Sequence, residues 1–559
     1  MQKNAMRARK LALVGLFLAY FASGCSLILR LPPSTTHMVR MRDGTELATD
    51  VYFPKGRLHR MPTILIRNTY NKGAVVNGIK TSSVIAKTFT DKGYAVVVQD
   101  TRGRFASAGV DSIFRTDGAG PNQDGYDTIE WITRQNWSNG AVGMWGMSAL
   151  GITSYMAVAS GHPALKAAYV VMCGSNLYDD VFFPGGVFRK DLVERWVTGQ
   201  GRADYLPVLR EHASYDDYWE AMDLSVHAPR AHTAVYHCGG WFDVMSAGQT
   251  NGFRALHERG GEGARGKQLM VMGPWSHHGM GRKQGDIEFP GNNKDVNPMG
   301  DAVAWFDSRL KGIPTRVDSV AAVRYYLMGA SGDSSGAGNR WLNAPTWPPP
   351  EARDVAFYLA EDRALTRDAP TSEAGALSYE FDPGNPVPTL GGLNLCPPIG
   401  PRDVRSVESR PDVLSFTTAP LEAPVAIAGN VRVRLWASSS AKDTDFTAML
   451  CDVYPDGRSV SILDGAIRAC HRNTTREEHP LAPGEVYEFD VNLWDTALAF
   501  ERGHSIRVDI SSSNFPRFEA NPNTGTSSGS DTIRVVARNT IYVGAQRPSA
   551  LILPVIPLE

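Results

Sequence analysis

Cysteine is scarce in this chain, six residues in 559, and no Cys-x-x-Cys or His-x-x-x-His spacing sets up a metal site. Charge of one sign is lacking too, since 57 Lys and Arg face 58 Asp and Glu for a formal net charge of -1. Without a basic excess there is no electrostatic footprint for nucleic acid or for an anionic membrane surface. The apolar run near the start, residues 11–21, follows Lys3, Arg7, Arg9 and Lys10 and is short for a membrane span. It closes on Ala22-Ser23-Gly24-Cys25, so residues 1–24 read as an export signal of the bacterial lipoprotein kind, with Cys25 lipidated. Ala22 departs from the leucine preferred there, which leaves plain secretion or an uncleaved anchor open. The expected location is the bacterial periplasm or cell envelope, with the lipid at Cys25 as the sole membrane contact.

Export permits oxidation of the other five cysteines, and Cys451 with Cys470, on neighbouring strand-like segments, is the expected pair. The plainer alternative is five small buried apolar residues. What is abundant is ordinary for a globular protein: 43% hydrophobic and 21% charged residues. At roughly 150 residues per domain the length suggests two to four units.

From Met38 to about Lys311, short apolar strands alternate with helical stretches, the pattern of a mostly parallel sheet covered on both faces. Residues 39–41 and 47–53 flank the Asp-Gly turn Arg42-Asp43-Gly44-Thr45 and predict an antiparallel start. Further runs at 63–67, 95–99, 142–145, 167–172, 234–238 and 269–272 make eight strands, those of an α/β-hydrolase sheet over 38–173 and 231–315. The aromatic and charged helical sequence of 174–230 interrupts this sheet after its sixth strand and predicts a helical cap; a surface insertion is the alternative. Beyond Gly312 a Gly/Ser-rich stretch (331–339) and a proline-rich one (345–350) lead into alternating strands such as 431–435 and 505–510. These predict an all-β, jelly-roll-like C-terminal domain over 316–559.

Chemistry concentrates at Gly146-Met147-Ser148-Ala149-Leu150-Gly151, a serine between glycines where a strand turns into a helix. Such a turn exposes the hydroxyl and sets it above free helix N–H groups. Leu150 stands where a second glycine is usual, so the motif alone leaves an ordinary tight turn open. A nucleophilic serine needs a base, and the base needs a carboxylate, in the chain order Ser, Asp, His. Two strand ends qualify: Gly240-Trp241-Phe242-Asp243, and Gly273-Pro274-Trp275-Ser276-His277. The triad expected is therefore Ser148, Asp243 and His277, with His278 as the rival base and Asp301 or Asp307 as rival acids. Two oxyanion donors are expected, the Ala149 backbone N–H and, from Arg67-Asn68-Thr69-Tyr70, the Tyr70 hydroxyl.

These residues, with Asp50-Val51-Tyr52, Asp100-Thr101-Arg102-Gly103, Asp124-Gly125-Tyr126-Asp127 and Asp443-Thr444-Asp445-Phe446, make the chain resemble the CocE/NonD serine hydrolases over nearly all of 38–559. That family includes cocaine esterase, ester acylases and X-prolyl dipeptidyl aminopeptidase. The resemblance implies the same triad, the same tyrosine in the oxyanion hole and the same three-part fold. Asp179 and Asp180 look like one contributor to the carboxylate cluster that receives a substrate ammonium in α-amino acid ester hydrolases, but Val244 and Met245 replace acidic residues expected after Asp243. A solvated helix cap is the plainer reading of Asp179 and Asp180. Trp145 and Trp241, beside the motif residues, are candidates for substrate contact.

The expectation is a serine esterase or acylase that cleaves a small ester or amide through an acyl-enzyme, without metal or organic cofactor. An Xaa-Pro dipeptidyl-peptidase is the first alternative. A surface binding lipoprotein with a vestigial hydrolase site is the second.

Overall fold

The computed structural model describes residues 31–56, 60–525 and 531–558, so the export signal and Cys25 lie outside the described residues. A ten-stranded sheet forms the centre of the first part. Its strands in chain order are β1 (Ser34–Arg40), β2 (Glu46–Tyr52), β3 (Met61–Asn68), β4 (Ala95–Asp100), β5 (Ser138–Met147), β6 (Leu165–Val171), β7 (Ala234–Phe242), β8 (Leu269–Ser276), β9 (Val323–Leu327) and β10 (Arg340–Ala344). In space the order is β1-β2-β4-β3-β5-β6-β7-β8-β9-β10. The strands from β4 through β9 run parallel, and β1, β2 and β10 add antiparallel edges. The Asp-Gly turn joins β1 to β2 as expected, with Val39 opposite Leu47.

The central strands β3, β4, β6, β7 and β8 are almost wholly buried, because helices cover both faces. The helices are α1 (Thr81–Thr90), α2 (Asp124–Thr133), α3 (Ala149–Ala159), α4 (Lys190–Gly199), α5 (Ser246–Arg259) and α6 (Pro298–Lys311). All eleven residues of α3 are buried, which explains its run of small and apolar side chains. Asn297 caps α6 by accepting the Gly300 N–H, and Gly312 ends it in the left-handed region at φ 67°.

The sheet continues past the boundary expected at 315/316. β9 pairs parallel with β8, and β10 returns antiparallel beside it, so two more strands belong to the hydrolase sheet before the second domain begins. The β9 and β10 segments flank the Gly/Ser-rich loop 331–339, whose composition made this stretch read as a linker.

Short helices at Leu206–Glu211, Asp217–Glu220 and Leu224–His227 join α4 in the cap between β6 and β7. The C-terminal part is two antiparallel sheets of seven and four strands, with one shared apolar core. Its spine is the long strand Val425–Ser439, paired over twelve positions with Tyr487–Phe500. Cys451 and Cys470 are free, as are Cys173, Cys238 and Cys396, so the expected disulfide is absent. Cys451 faces Ser461 across the ladder, whereas Cys470 follows Arg468, which faces Asp445. Six positions of strand at about 3.3 Å each separate them, far beyond the reach of a disulfide.

Candidate active site

β5 delivers Ser148 at its C-terminal end, and the turn into α3 is strained. Ser148 has φ 56° and ψ -128°, a conformation that side-chain-bearing residues rarely hold. The Ser148 N–H donates to the Val171 carbonyl of β6 at 2.9 Å, which ties the elbow to the sheet. A Cβ on Gly146 would stand 2.1 Å from the Leu150 carbonyl oxygen, and one on Gly151 would stand 2.6 Å from Cys173 Sγ. Both positions therefore need glycine, while Leu150, where a glycine is more usual, has room to pack in the core.

Asp243 and His277 emerge from the ends of β7 and β8, neighbouring parallel strands, and so converge on the serine. The pairing shifts register between Gly273 and Ser276, a bulge that re-aims the end of β8. Asp243 Oδ2 lies 2.6 Å from His277 Nδ1, and His277 Nε2 lies 3.0 Å from Ser148 Oγ. The second Asp243 oxygen accepts the Met245 N–H at 2.8 Å, and this carboxylate is fully buried. With Nδ1–H donated to the carboxylate, Nε2 holds the lone pair that faces the hydroxyl.

Tyr70 reaches the serine from the loop after β3. Asn68 Oδ1 accepts the Tyr70 N–H at 2.8 Å, Asp100 Oδ1 accepts the Lys72 N–H at 2.7 Å, and Lys72 Nζ pairs with Asp50 at 2.8 Å. This lattice of short polar side chains holds the loop in place. The Tyr70 hydroxyl is a neighbour of Ser148, and burial pushes its pKa up, so the phenol keeps its proton. Ala149 opens α3, which leaves its N–H without a partner inside the helix. A carbonyl carbon held at Ser148 Oγ would thus meet a base on one side and two donors on the other.

Comparison with known proteins agrees with this geometry. The family described as X-Pro dipeptidyl-peptidase (S15 family) matches residues 43–205 and 198–279, and the X-Pro dipeptidyl-peptidase C-terminal non-catalytic domain matches 315–552. The cocaine esterase of a Rhodococcus species is 33% identical over 93% of this chain and 98% of its own length. The chain belongs to the CocE/NonD family of serine hydrolases. Two solved structures share its fold at 26% identity: an aminopeptidase from a marine sediment Thaumarchaeota archaeon (TM-score 0.79) and an α-amino acid ester hydrolase (TM-score 0.78). Each alignment covers 96% of this chain and 99% of the other.

The rivals for the triad have other partners. His278 is exposed, and its Nε2 meets the Leu395 carbonyl. Asp301 pairs with Arg316, and Asp307 receives the Tyr94 hydroxyl at 2.7 Å and Lys311 at 2.7 Å. Trp145 is buried in the apolar cluster that also holds Ile85 and Phe89 of α1 and Trp305 and Phe306 of α6. Trp241 is fully buried and donates to the Tyr326 carbonyl at 2.9 Å. Neither tryptophan lines the cavity at Ser148.

That cavity, about 420 Å³ with its open mouth, is walled by segments far apart in sequence. Leu192, Val193 and Trp196 come from one face of α4, and Val181 and Phe182 from the π-helical turn Tyr178–Phe182. Phe114, Ile152, Val244, Met245 and Leu395 complete it. Phe114, Trp196 and Leu395 left no sign in the sequence, because no local pattern brings them to the serine. Arg189 was missed as well. Fully buried, its guanidinium donates to the carbonyls of Asp180 (3.2 Å), Val244 (2.7 Å) and Leu393 (3.0 Å), joining three walls of the cavity. Burial lowers its pKa to about 9.

Asp179 and Asp180 are not a solvated cap. Asp180 is fully buried and saturated by the Ser175 N–H and hydroxyl, the Asn176 N–H and the Asn251 amide. Asp179 is half-buried, and burial together with the charges of Asp180 and Asp223 raises its pKa to about 7. The aromatic packing of Tyr178 against Phe183, Tyr215 and Trp219 draws this turn inward.

Proposed function

We propose that Ser148 is the nucleophile, His277 its general base and Asp243 the group that orients the imidazole, with Tyr70 and the Ala149 N–H receiving the oxyanion. His277 takes the Ser148 proton as Oγ attacks an ester carbonyl, then gives it to the departing alcohol. Water repeats the cycle on the acyl-enzyme and releases the acid. The observation that carries this reading is the continuous chain Asp243 Oδ2, His277, Ser148 Oγ at 2.6 and 3.0 Å.

The preferred substrate is an ester with an uncharged, apolar acyl group. Among the described residues lining the cavity His277 is the sole ionisable side chain, and apart from Ser148 the rest of the wall is aliphatic, aromatic or thioether. An Xaa-Pro peptidase must receive a free ammonium, and desolvating that charge without a carboxylate is costly. Asp180 is already saturated, and Val244 and Met245 put apolar surface after Asp243. The esterase activity of the Rhodococcus relative supports the same choice over the dipeptidyl-peptidase reading.

A panel of p-nitrophenyl esters set against Xaa-Pro-p-nitroanilides tests the preference. Esters of apolar acids should be turned over well and the anilides poorly; the reverse order would overturn it. Ser148→Ala should lower kcat on the best ester by about 10⁶, and normal turnover by that variant would remove the nucleophile assignment.

Export and lipid anchoring at Cys25 form the other part of the proposal, supported by the basic start, the 11–21 apolar run and the small residues before Cys25. Labelled palmitate should enter the full-length protein in a bacterial host and fail to enter Cys25→Ala.

A further inference from the structure

We propose that Trp196 is a positioning residue for the oxyanion hole, its indole N–H fixing the Tyr70 phenol so that the phenol proton is left for the oxyanion. The proposal rests on the serine-hydrolase reading of the site and adds a role for the cap, which otherwise supplies only cavity wall.

The argument begins from what each group can donate. An indole N–H donates and cannot accept, whereas a phenol has one proton and two lone pairs. Trp196 Nε1 donates to Tyr70 Oη at 3.1 Å. One lone pair of the phenol is thereby used, and its proton cannot be spent on Trp196. The other hydroxyls near the phenol are those of Ser148 and Thr69, and neither is hydrogen-bonded to it. Thr69 Oγ1 is buried without a hydrogen-bond partner, so it does not hold the phenol's proton away from the serine. Burial keeps the phenol protonated, which makes it a standing donor.

Trp196 is itself well fixed. It sits on α4, stacks on Phe114 with centroids 5.5 Å apart and planes at 17°, and lines the cavity that contains Ser148. The result is a row of donors, indole N–H to phenol O–H to the oxygen that gains charge. Donors in series polarise one another, and the gain is largest when the terminal acceptor is an anion. The indole therefore favours the tetrahedral intermediate over the ground-state carbonyl, the condition for raising kcat rather than lowering KM. A further consequence is that the orientation of the phenol depends on the docked cap, because α4 carries the indole.

A double-mutant cycle separates this role from simple packing. p-Nitrophenyl acetate is the probe, since its small acetyl group minimises contact with the cavity wall. Trp196→Phe keeps an aromatic ring against Phe114 and removes the donor; kcat should fall about tenfold while KM stays within about twofold. Tyr70→Phe should lower kcat by about 10²–10³. In the Tyr70→Phe background, adding Trp196→Phe should cost less than about twofold, because the indole acts through the phenol. Equal losses in the two backgrounds, or an unchanged kcat in Trp196→Phe alone, would overturn the proposal. Trp196→Leu, also without a donor, takes its place in the cycle if Trp196→Phe does not fold. Failure of the underlying reading would register separately, as undiminished turnover by Ser148→Ala.

Discussion

Two carboxylates that each precede a valine of the cavity wall, Asp243 and Asp180, are the same residue type at the same burial, both at 0% exposure. Asp243 faces an imidazole nitrogen at 2.6 Å and one backbone N–H. Asp180 faces two backbone N–H groups, a hydroxyl and an amide, with no titratable partner among those bonds. The first arrangement is the one that would stabilise a positive charge on the imidazole under the proposed mechanism. The second holds a turn of the cap against the sheet. What separates the proposed catalytic acid from a structural one here is the partner, and the partner is set by strand order: β7 and β8 are neighbours, so the residues leaving their ends meet.

The sharpest way to break this comparison is to remove the charge at Asp243 while keeping its shape. Asp243→Asn can donate to His277 Nδ1, which stabilises the tautomer with its proton on the wrong nitrogen. We expect kcat on the best ester to fall by about 10⁴, with thermal unfolding little changed. A loss below about tenfold would mean that the carboxylate does not orient the base.

The catalytic half of the comparison was legible in the sequence because each residue sits at a strand end, and strand ends can be read from apolar runs and glycines. Ser148, Asp243, His277 and Tyr70 all follow strands that the structure contains. Trp145 and Trp241 misled for a related reason: they lie inside those strands, three and two residues before the site, and their rings point into packed layers. The walls of the cavity were not legible. Leu192, Val193 and Trp196 share a helical face whose direction depends on how α4 docks, and Leu395 arrives from a loop of the C-terminal domain between Ala376–Phe381 and Arg405–Glu408. Asp179 and Asp180 had the local pattern of a helix cap, and the aromatic cluster around Tyr178 and Trp219, assembled from residues far apart in sequence, decided their burial instead. Likewise Cys451 and Cys470 sit on one hairpin, but register, which a sequence does not state, keeps them apart.

Asp179, the remaining member of the second group, gives the smallest and most specific effect. Its carboxyl is raised from 3.8 to about 7 by burial and by the charges of Asp180 and Asp223, and the amide of Asn176 at 3.3 Å offsets little of this. Between pH 3.8 and 7 the folded state holds a proton that the unfolded state has released. Stability therefore falls as pH rises through that window, and the full cost is present above it. Asp179→Asn removes the titration and keeps the shape. Its unfolding midpoint should exceed that of the parent by a few degrees at pH 8, and the gap should shrink steadily as the pH is lowered toward 4. The other carboxylates titrate equally in both proteins, so the difference between the two melting curves isolates this site. A gap that stayed constant across pH would mean that the charge of Asp179 is already compensated, and that its place beside Asp180 costs the fold nothing.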